Sequence, residues 1–407
     1  MSATSRRRSV LAAAAIAAAL AVTATACGPA EDESGAQAGP SATAPDGEGG
    51  KGGPGIDDLR LPEELPAALR DFDPEKWKNG EWRNWDKDDW LREARDFVNP
   101  IIEGLWDPDR MKDAEENDRR VDPDTGEGST GGEGDEGVTD PDPAPRRARP
   151  VATPYRENAP AVGKVFMDTP KGPMVCSGTV VEDPRSPGKS NLVATAGHCV
   201  HAGSSGGWFR NVVFVPAYND SALKVSELEQ ASPTDVAPHG VFWATWAQTA
   251  EHWISDGAET GGLGASQDFA VLRVEAEDKG GRSLEETVGT AVPVDFGKPP
   301  VASLSSVRAY GYPAAPPFDG LTMHTCTDRP GRLTLSESES TMYRIGCTMT
   351  GGSSGGGWFA GKGSGEQRLV SVTSIGTIDH TWLAGPRLGE EAEGVLEGVS
   401  EKFAGKN

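Results

Sequence analysis

Residues 348–359 read TMTGGSSGGGWF, a glycine and serine run that follows Cys347 directly and ends on two aromatic side chains. By composition alone, GGSSGGG is typical of a flexible linker. A linker has no need of a cysteine before it or of Trp358 and Phe359 after it. Glycine-rich backbone is equally what a tight functional loop requires, because glycine adopts conformations that other residues avoid. The stretch is therefore either a tether or an active-site loop, and other parts of the chain decide which.

Two more motifs bear on this choice. His198 lies in ATAGHC, residues 194–199, at the end of an apolar run that begins near Leu192. Asp268 lies in QDFAVL, residues 267–272, where an acid precedes a buried run. Taken singly, a histidine at a strand end and an aspartate at a strand start are usually structural. The motifs gain meaning only together.

The charge of the chain is strongly negative and unevenly spread. Its 407 residues carry a formal charge of −23, and 36% of them are hydrophobic. Residues 1–27 contribute +3, residues 28–150 contribute −17 and residues 151–407 contribute −9. Binding to a phosphate backbone requires a basic face, and none stands out. We therefore expect no nucleic-acid partner.

The first 27 residues have the pattern of an export signal. Three arginines, Arg6 to Arg8, precede an apolar run from Val10 to Val22 that is too short to span a membrane stably. The segment ends in ATAC, which fits either an A-x-A cleavage site or a lipobox-like motif with Ala in place of the usual Leu. The twin-arginine and general export routes are both open.

Cysteine parity bears on the end of this signal. Five cysteines in an exported chain leave one over. This favours lipidation of Cys27 and an outward-facing anchor on the cell membrane, with plain secretion as the alternative.

Three regions follow before the chain becomes regular. Residues 28–56 are poor in apolar side chains and are expected to form a disordered spacer. Residues 57–120 hold five of the eleven tryptophans and helix signals such as Asp73–Pro74, so part of this segment is expected to be helical. A partly ordered spacer, a pro-segment that docks on the rest of the chain and a surface for another partner are all open. Residues 121–150 return to low complexity and are interpreted as an acidic linker.

Residues 151–407 differ from all of these. Short apolar stretches such as GTVVE, NLVATAG, FAVLRV and RLVSVTSIG alternate with Gly, Pro, Asp or Ser, and no long helical period appears. This pattern predicts an all-β domain. A domain of about 250 residues is large enough to bury two cores.

Taken together, His198, Asp268 and Ser354 resemble the trypsin-like serine peptidases of chymotrypsin fold, in particular the bacterial branch that includes the glutamyl endopeptidases. TAGHC and the G-x-S-G-G pattern of residues 352–356 are specific signatures of that family, and the order His, Asp, Ser is the family's own. The resemblance implies two antiparallel β-barrels, preceded here by a disordered, partly helical N-terminal region. TMTGGSSGGGWF is then an active-site loop.

The resemblance also implies roles for these residues. His198 would take the proton of the Ser354 hydroxyl and return it to the leaving amine, while Asp268 would hold the imidazole and stabilise its charged form. The backbone N–H groups of Gly352 and Ser354 would bind the developing oxyanion. No cofactor is expected, and no metal, because His198 and His201 lack a third ligand cluster.

The family likewise implies the cysteine pairing. Cys176 would pair with Cys199, beside the catalytic histidine, and Cys326 would pair with Cys347, shortly before Ser354. Each bridge would clamp a segment that delivers a catalytic residue.

For the substrate, the segment SVTSIG, which ends at Gly376, resembles the strand that pairs with an extended peptide. Ser374 would lie beside the aspartate. Glutamate-cleaving relatives have His where this chain has Thr373, and trypsin-like cleavers have Asp where it has Thr348. With Met349 nearby, a small or medium uncharged side chain is expected in the primary pocket.

Two departures from the wider family concern activation. Ser353 stands where many animal relatives have an Asp that binds a newly freed N-terminus, and an Ile-Val-Gly-Gly start is lacking. Activation through that salt bridge is not expected, so the domain is expected to fold directly into its active form.

These features predict an extracytoplasmic serine endopeptidase. We expect a monomer whose partners are protein or peptide substrates and, only through a lipid on Cys27, the membrane. The alternative is a catalytically silent protease-fold binding or scaffold protein at the cell surface, which the unusual N-terminal half alone supports.

Overall fold

The computed structural model describes residues 59–60, 97, 99–122, 125–126, 134–260, 262–278, 280–362 and 366–406. The predictions of an export signal, of lipidation at Cys27 and of a spacer over residues 28–56 lie outside these ranges. Among the helices within them, none combines the length and the apolar character needed to cross a membrane.

Strands dominate the described residues, as an all-β domain requires. In chain order they are β1 (Leu59–Arg60), β2 (Ile101–Ile102), β3 (Glu115–Glu116), β4 (Arg120–Val121), β5 (Arg149–Pro150), β6 (Val162–Thr169), β7 (Gly172–Val181), β8 (Leu192–Thr195), β9 (Arg210–Pro216), β10 (Phe242–Thr249), β11 (Ala270–Ala276), β12 (Val307–Gly311), β13 (His324–Asp328), β14 (Gly331–Leu333), β15 (Met342–Gly346), β16 (Gly357–Lys362), β17 (Glu366–Val372), β18 (Ile375–Thr377) and β19 (Trp382–Gly385).

The helices in the described part are short, apart from the one that ends the domain. Local capping explains several of them: Ser283, for example, accepts a hydrogen bond from the Glu286 N–H, and the helix that follows stops at Gly289 in a left-handed conformation. The helices are α1 (Pro108–Asp113), α2 (Tyr155–Asn158), α3 (Val225–Leu228), α4 (Pro233–Val236), α5 (Glu251–Asp256), α6 (Leu284–Val288) and α7 (Glu390–Lys402).

Strands β6 to β11 close into a six-stranded barrel. The order is β7-β6-β9-β10-β11-β8, and β8 pairs back with β7 to complete the ring. Every residue of β6 and β9 is buried, because one face of each strand lies in the core and the other is covered from outside. Val165, Phe214 and Leu272 are fully buried in this core. Burial on both faces explains the continuous apolar runs in the sequence.

The second half of the domain consists of two five-stranded sheets, β17-β16-β12-β13-β5 and β14-β15-β19-β18-β4. Both contribute to one core: Ala309 and Trp358 from the first sheet are buried in the same cluster as Ile345 and Leu383 from the second. The prediction of an all-β, chymotrypsin-like fold is therefore confirmed. The second barrel takes the form of two sheets that enclose a common core.

Residues 97 and 99–113, from the Trp-rich region, dock on the first barrel, and we call them the arm. The ring of Phe97 meets that of Trp208 edge to face, with centroids 5.6 Å apart. The indole N–H of Trp106 donates to the backbone carbonyl of Asn211 at 2.7 Å. Of the helix predicted for the Trp-rich region, α1 is the part that lies within the described residues, and the signals at Asp73–Pro74 lie outside them.

Residues 134–150 differ from the linker that we expected over residues 121–150. Strand β5 pairs with β13 in the second half of the domain, and Ala148 is buried against its core. The acidic side chains that suggested a solvated linker instead neutralise arginines far along the chain, in the pairs Asp140–Arg332, Asp142–Arg344 and Asp135–Arg387. We call residues 134–150 the strap.

The last helix, α7, returns to the first barrel. Its apolar face, which includes Val395, Leu396 and Val399, is buried in the core of that barrel. The Ser400 hydroxyl donates to the carboxylate of Asp183. The strap precedes the first barrel but holds the second half, whereas α7 follows the second half but holds the first barrel.

Candidate active site

His198 and Asp268 meet at the end of the first barrel. Nδ1 of His198 lies 2.6 Å from Oδ2 of Asp268, and the backbone N–H of His198 donates to Oδ1 at 2.8 Å. Both residues are buried, at 3% and 0% exposure. The carboxylate thus holds the histidine by its ring and by its backbone, which favours the tautomer that carries a proton on Nδ1.

The pairing of β8 with β11 brings these two residues together. Thr195 faces Ala270 in this register, so the turn after β8 lies beside the residues that precede β11. Gly197 allows the turn to pack closely, because a Cβ at this position would lie 2.5 Å from Oγ1 of Thr249 and 2.8 Å from the ring of Trp253. The glycine of TAGHC is therefore a packing requirement.

Ser374 completes the surroundings of Asp268. Its hydroxyl donates to Oδ2 of Asp268 at 2.6 Å. Burial alone would raise the pKa of Asp268, but the charge and hydrogen bond of His198, the nearby guanidinium of Arg119 and the Ser374 hydroxyl together hold that pKa below its ordinary value. The side chain is a carboxylate and can stabilise a positive charge on the imidazole.

Ser354 lies on the loop between β15 and β16, and Ser177 of the first barrel holds this loop in place. The backbone N–H of Ser177 donates to the Ser354 carbonyl at 2.7 Å. Its hydroxyl donates to the Gly352 carbonyl at 2.9 Å and accepts from the Tyr312 N–H at 2.9 Å. The sequence analysis did not identify this role, although Ser177 lies in the CSGT motif.

The conformation of Gly352 leaves two backbone donors available. Its φ of +90° is one that favours glycine, and a Cβ there would lie 2.6 Å from a backbone oxygen. In the described part of the loop, the N–H groups of Ser353, Gly355 and Gly356 donate to backbone carbonyls. Those of Gly352 and Ser354 do not take part in these bonds. Within the described residues, these two N–H groups of one turn are therefore left without a backbone partner.

Both disulfides that the resemblance implied are present, Cys176–Cys199 and Cys326–Cys347. The first joins the strand that holds the serine loop to the residue after His198. Its two sulfurs and a ring nitrogen of His198 lie within 4.8 Å of one another. Because both sulfurs are consumed in the S–S bond, this cluster lacks the thiolates that would bind zinc.

The second ring nitrogen of His198, Nε2, differs from Nδ1 in its surroundings. Nε2 is buried and has no hydrogen-bond partner within the described residues. Ser354 is itself only 3% exposed. A cavity of about 210 Å³ lies beside His198 and is lined in part by His201, Trp208 and Trp253. With Nδ1 committed to Asp268, Nε2 is the atom that can accept a proton.

The predicted pocket residues lie close to the serine loop but have other partners. The N–H and hydroxyl of Thr348 both bond to the backbone of residues 146–148 in the strap, at 2.9 Å each. Met349 is 1% exposed and belongs to the core of the second half. The hydroxyl of Thr373 accepts from the indole N–H of Trp358 at 2.9 Å. Their part in substrate selection stays a prediction.

Gly376, at the end of the predicted substrate strand, already has a partner. Its N–H donates to the backbone carbonyl of Arg119 at 3.1 Å. The side-chain amide of Asn117 donates to the carbonyl of His198 at 2.7 Å. Sequence reasoning missed both residues. The segment EENDRRV, residues 115–121, gives no signal for strand pairing, because its bonds to the domain are largely made by backbone groups.

A closed β-barrel joined to a second β unit, with an Asp–His pair and a serine loop at the junction, defines the chymotrypsin-type serine peptidases. Residues 176–364 match the family model described as "Trypsin-like peptidase domain". No curated protein gives a significant match to the chain.

Solved structures of peptidases are similar to this chain. The thermostable serine protease AL20 from an extremophilic microorganism is 35% identical, over 60% of this chain and 98% of that one, with a TM-score of 0.48. Protease Anisep from Arthrobacter nicotinovorans is 28% identical, over 62% of this chain and 99% of that one, with a TM-score of 0.48. A Glu endopeptidase is 18% identical, over 64% of this chain and 98% of that one, with a TM-score of 0.43.

The family match identifies residues 176–364 as a trypsin-like peptidase domain. The resemblance drawn from TAGHC and G-x-S-G-G is thereby confirmed.

Proposed function

We propose that the chain is an extracytoplasmic endopeptidase that hydrolyses peptide bonds through Ser354, His198 and Asp268 with an acyl-enzyme intermediate. The observation that carries the proposal is the buried Asp268–His198 pair, whose Nε2 has no hydrogen-bond partner among the described residues. Membership of the peptidase family supports a peptide substrate.

Each step of this chemistry uses a group described above. Nε2 of His198 takes the proton of the Ser354 hydroxyl as its oxygen attacks the peptide carbonyl carbon. The negative charge on the carbonyl oxygen is stabilised by the N–H groups of Gly352 and Ser354. Asp268 stabilises the imidazolium, which then protonates the leaving amine. A water molecule then attacks the carbonyl carbon of the acyl-enzyme, gives its proton to His198 and frees Ser354.

Export and anchoring are part of the same proposal. The two disulfides are what an oxidising compartment outside the cytoplasm permits. The export signal and lipidation at Cys27 rest on the sequence. A monomer held by a lipid at Cys27 would act on proteins near the outer face of the membrane, and a plainly secreted form remains the alternative.

One observation favours the second candidate function, a catalytically silent scaffold. Residues 115–121 lie where a substrate strand would bind, so a chain that never releases them would have no access for peptides. The experiments below separate this possibility from an enzyme whose cleft is covered reversibly.

The test of the enzyme is the substitution Ser354→Ala. Since triad members act as a unit, we expect the rate of peptide hydrolysis to fall by about a thousandfold or more. A small fluorophosphonate should label the unaltered chain at Ser354, as shown by mass spectrometry of its peptides. The exposed serine Ser338 offers a control, and Ser338→Ala should retain the rate. Retention of most of the rate by Ser354→Ala would show that the assignment is wrong.

A further inference from the structure

Residues 115–121, which we call the cleft segment, cross the whole active-site face of the domain. At one end, Glu115 and Glu116 pair in parallel with Met174 and Val175 of β7. At the other end, β4 pairs in parallel with β18, and the N–H groups of residues 376 and 378 donate to carbonyls of the segment at 3.1 Å each. The segment therefore occupies the exposed edges of both halves of the domain.

Between these ends the cleft segment touches the proposed catalytic groups. The side-chain amide of Asn117 donates to the carbonyl of His198. Its backbone N–H donates to the carbonyl of Val175. Asp118 lies so close to Gly351 of the serine loop that a Cβ on that glycine would come within 2.5 Å of the Cβ of Asp118. A peptide substrate cannot lie over the serine loop while Asp118 is there.

Arg119 lies beside the Asp–His pair and lines the cavity next to His198. Its guanidinium lies over the ring of Trp253, 4.7 Å from the centroid, and the residue is only 6% exposed. Two of its nitrogens, Nε and Nη2, have no hydrogen-bond partner within the described residues. The positive charge of Arg119 also lies close to Asp268. The Asp268 carboxylate therefore interacts with this charge as well as with that of a protonated His198.

The direction of the cleft segment is opposite to that of a productive substrate. We place the acyl part of the substrate, which is its N-terminal side, along β18, because Thr373, a predicted primary-pocket residue, shortly precedes that strand; the leaving amine then departs toward β7. The cleft segment runs from β7 to β18 instead. A peptide bound in this sense presents its acyl and amine sides in the wrong order for attack by Ser354, so it can cover the site without being cut.

The arm that precedes the cleft segment supplies an anchor. The guanidinium of Arg110 bonds to both carboxylate oxygens of Asp168 at 2.6 and 2.8 Å and lies over the ring of Trp106. Asn99 makes three hydrogen bonds to the backbone of the barrel, where it is completely buried. These contacts hold the segment in the cleft from outside the cleft.

We propose that residues 115–121 are an autoinhibitory segment that fills the peptide-binding cleft in reverse, and that its departure activates the peptidase. This inference rests on the proposed function. It decides among the three interpretations of the Trp-rich region in favour of a docked pro-segment. In this proposal the segment controls access to the catalytic groups.

The experiment uses the full chain with residues 127–133 replaced by a recognition sequence of equal length for a site-specific cysteine protease. Cutting there separates the arm and cleft segment from the domain. A tethered segment acts at an effective concentration of about millimolar, so after cutting and dilution to nanomolar concentration we expect peptide hydrolysis to rise by at least about tenfold. Hydrogen exchange at Gly376 and Ile378 should be slow in the uncut chain and fast after release.

Two matched substitutions test the anchor in the uncut chain. Arg110→Ala removes the ion pair with Asp168 and should raise hydrolysis several-fold. Lys112→Ala removes the same charge from the same helix. In the described part of the chain the ion pair of Lys112 is with Asp109 of this helix, at 3.6 Å, so the rate should not change. Arg110→Ala in the cut chain ensures release even where docking is tight.

The outcomes distinguish the two proposals. Equal hydrolysis before and after loss of protection at Gly376 would overturn autoinhibition and leave the enzyme assignment intact. Fast exchange at Gly376 in the uncut chain would also overturn autoinhibition. No hydrolysis and no fluorophosphonate labelling in the released form would overturn the proposed function, and the inhibitory role with it.

Discussion

His201 shows how one residue beside the site couples stability to pH. It is 4% exposed, its ring lies 5.0 Å from that of Trp208, and its Nδ1 accepts the N–H of Gly203 at 3.1 Å. Burial lowers the pKa of His201 to about 4. Acceptance at Nδ1 requires the neutral ring, so the native state has no place for a proton that the unfolded chain binds readily.

The sign of the effect follows from this difference. Unfolded His201 takes up a proton below about pH 6.5, and the native residue does so only near pH 4. The contribution of the neutral His201 to the free energy of unfolding is fully present above pH 6.5. It decreases by up to about 3 kcal/mol as the pH falls toward 4. His201→Asn keeps an acceptor for Gly203 but does not titrate.

We therefore predict that urea unfolding at pH 7 and pH 4.5 shows a larger loss of unfolding free energy in the unaltered chain than in His201→Asn, by about 2–3 kcal/mol. Carboxylates titrate in both proteins and cancel in the comparison. Parallel pH profiles for the two proteins would show that His201 is not the responsible group.

At the scale of elements, the strap illustrates a contact that composition conceals. Arg387 is 6% exposed at its side chain and bonds to Asp135 at 2.8 Å and to Glu136 at 2.9 Å. Asp135 also accepts the backbone N–H of Val301 at 3.0 Å. One carboxylate thus satisfies a buried guanidinium and a loop N–H, and removing it leaves both without that partner.

We predict that Asp135→Ala lowers the free energy of unfolding by about 2–3 kcal/mol, since a largely buried arginine loses its closest counter-charge. Asp122→Ala removes an exposed carboxylate from the same N-terminal stretch and should change stability by less than about 0.5 kcal/mol. Urea midpoints measure both. The same midpoint for the two variants would mean that the strap contributes little to stability.

The same elements show what the sequence could and could not predict. TAGHC and G-x-S-G-G could be recognised because local sterics require glycine in them, as at Gly197 and Gly352. Any chain with this site must therefore have glycine at these positions. The partner of Asp135 could not be read, because an ion pair between residues 252 positions apart has no local signature. The cleft segment was hidden for another reason: its β-pairing uses backbone hydrogen bonds, which require no particular residue types.

The strap also bears on the basic cluster PRRARP, residues 145–150, because an exposed basic stretch between linker and domain would be a preferred site of proteolytic nicking. The carbonyl of Arg146 accepts the N–H of Thr348, and the N–H of Ala148 donates to the hydroxyl of Thr348. Arg147 is exposed, but its neighbours on both sides are held by residue 348 beside the serine loop. A protease needs several extended residues free of such bonds, so the contacts of the strap protect this cluster from cleavage.

At the scale of the whole molecule, the site lies between two halves that the chain ties together from both ends. His198 and Asp268 belong to the first barrel, and Ser354 and Ser374 belong to the second half. The strap fastens the second half from a position in the chain before the first barrel, and α7 fastens the first barrel from a position after the second half. Because the chain passes between the halves at both ends of the domain, we expect the two halves to unfold together.

We predict that Leu396→Ala, on α7, destabilises the whole domain and not the first barrel alone. Leu396 is 3% exposed in the core of that barrel. Loss of its side chain should cost about 2–5 kcal/mol, which lowers the midpoint of thermal unfolding by roughly 5–15 °C for a domain of this size. Glu393→Ala, at an exposed position of the same helix, is the control and should leave the midpoint within about 2 °C.

The measurement is scanning calorimetry together with tryptophan fluorescence, which reports on both halves because Trp243 and Trp253 are buried in the first and Trp358 and Trp382 in the second. If the halves are coupled, the two methods give one midpoint, the calorimetric and van't Hoff enthalpies agree, and both shift together in Leu396→Ala. Two separate transitions, with only the lower one moved by Leu396→Ala, would mean that each half folds by itself. The catalytic groups would then be aligned by packing at the junction alone, without help from the strap and α7.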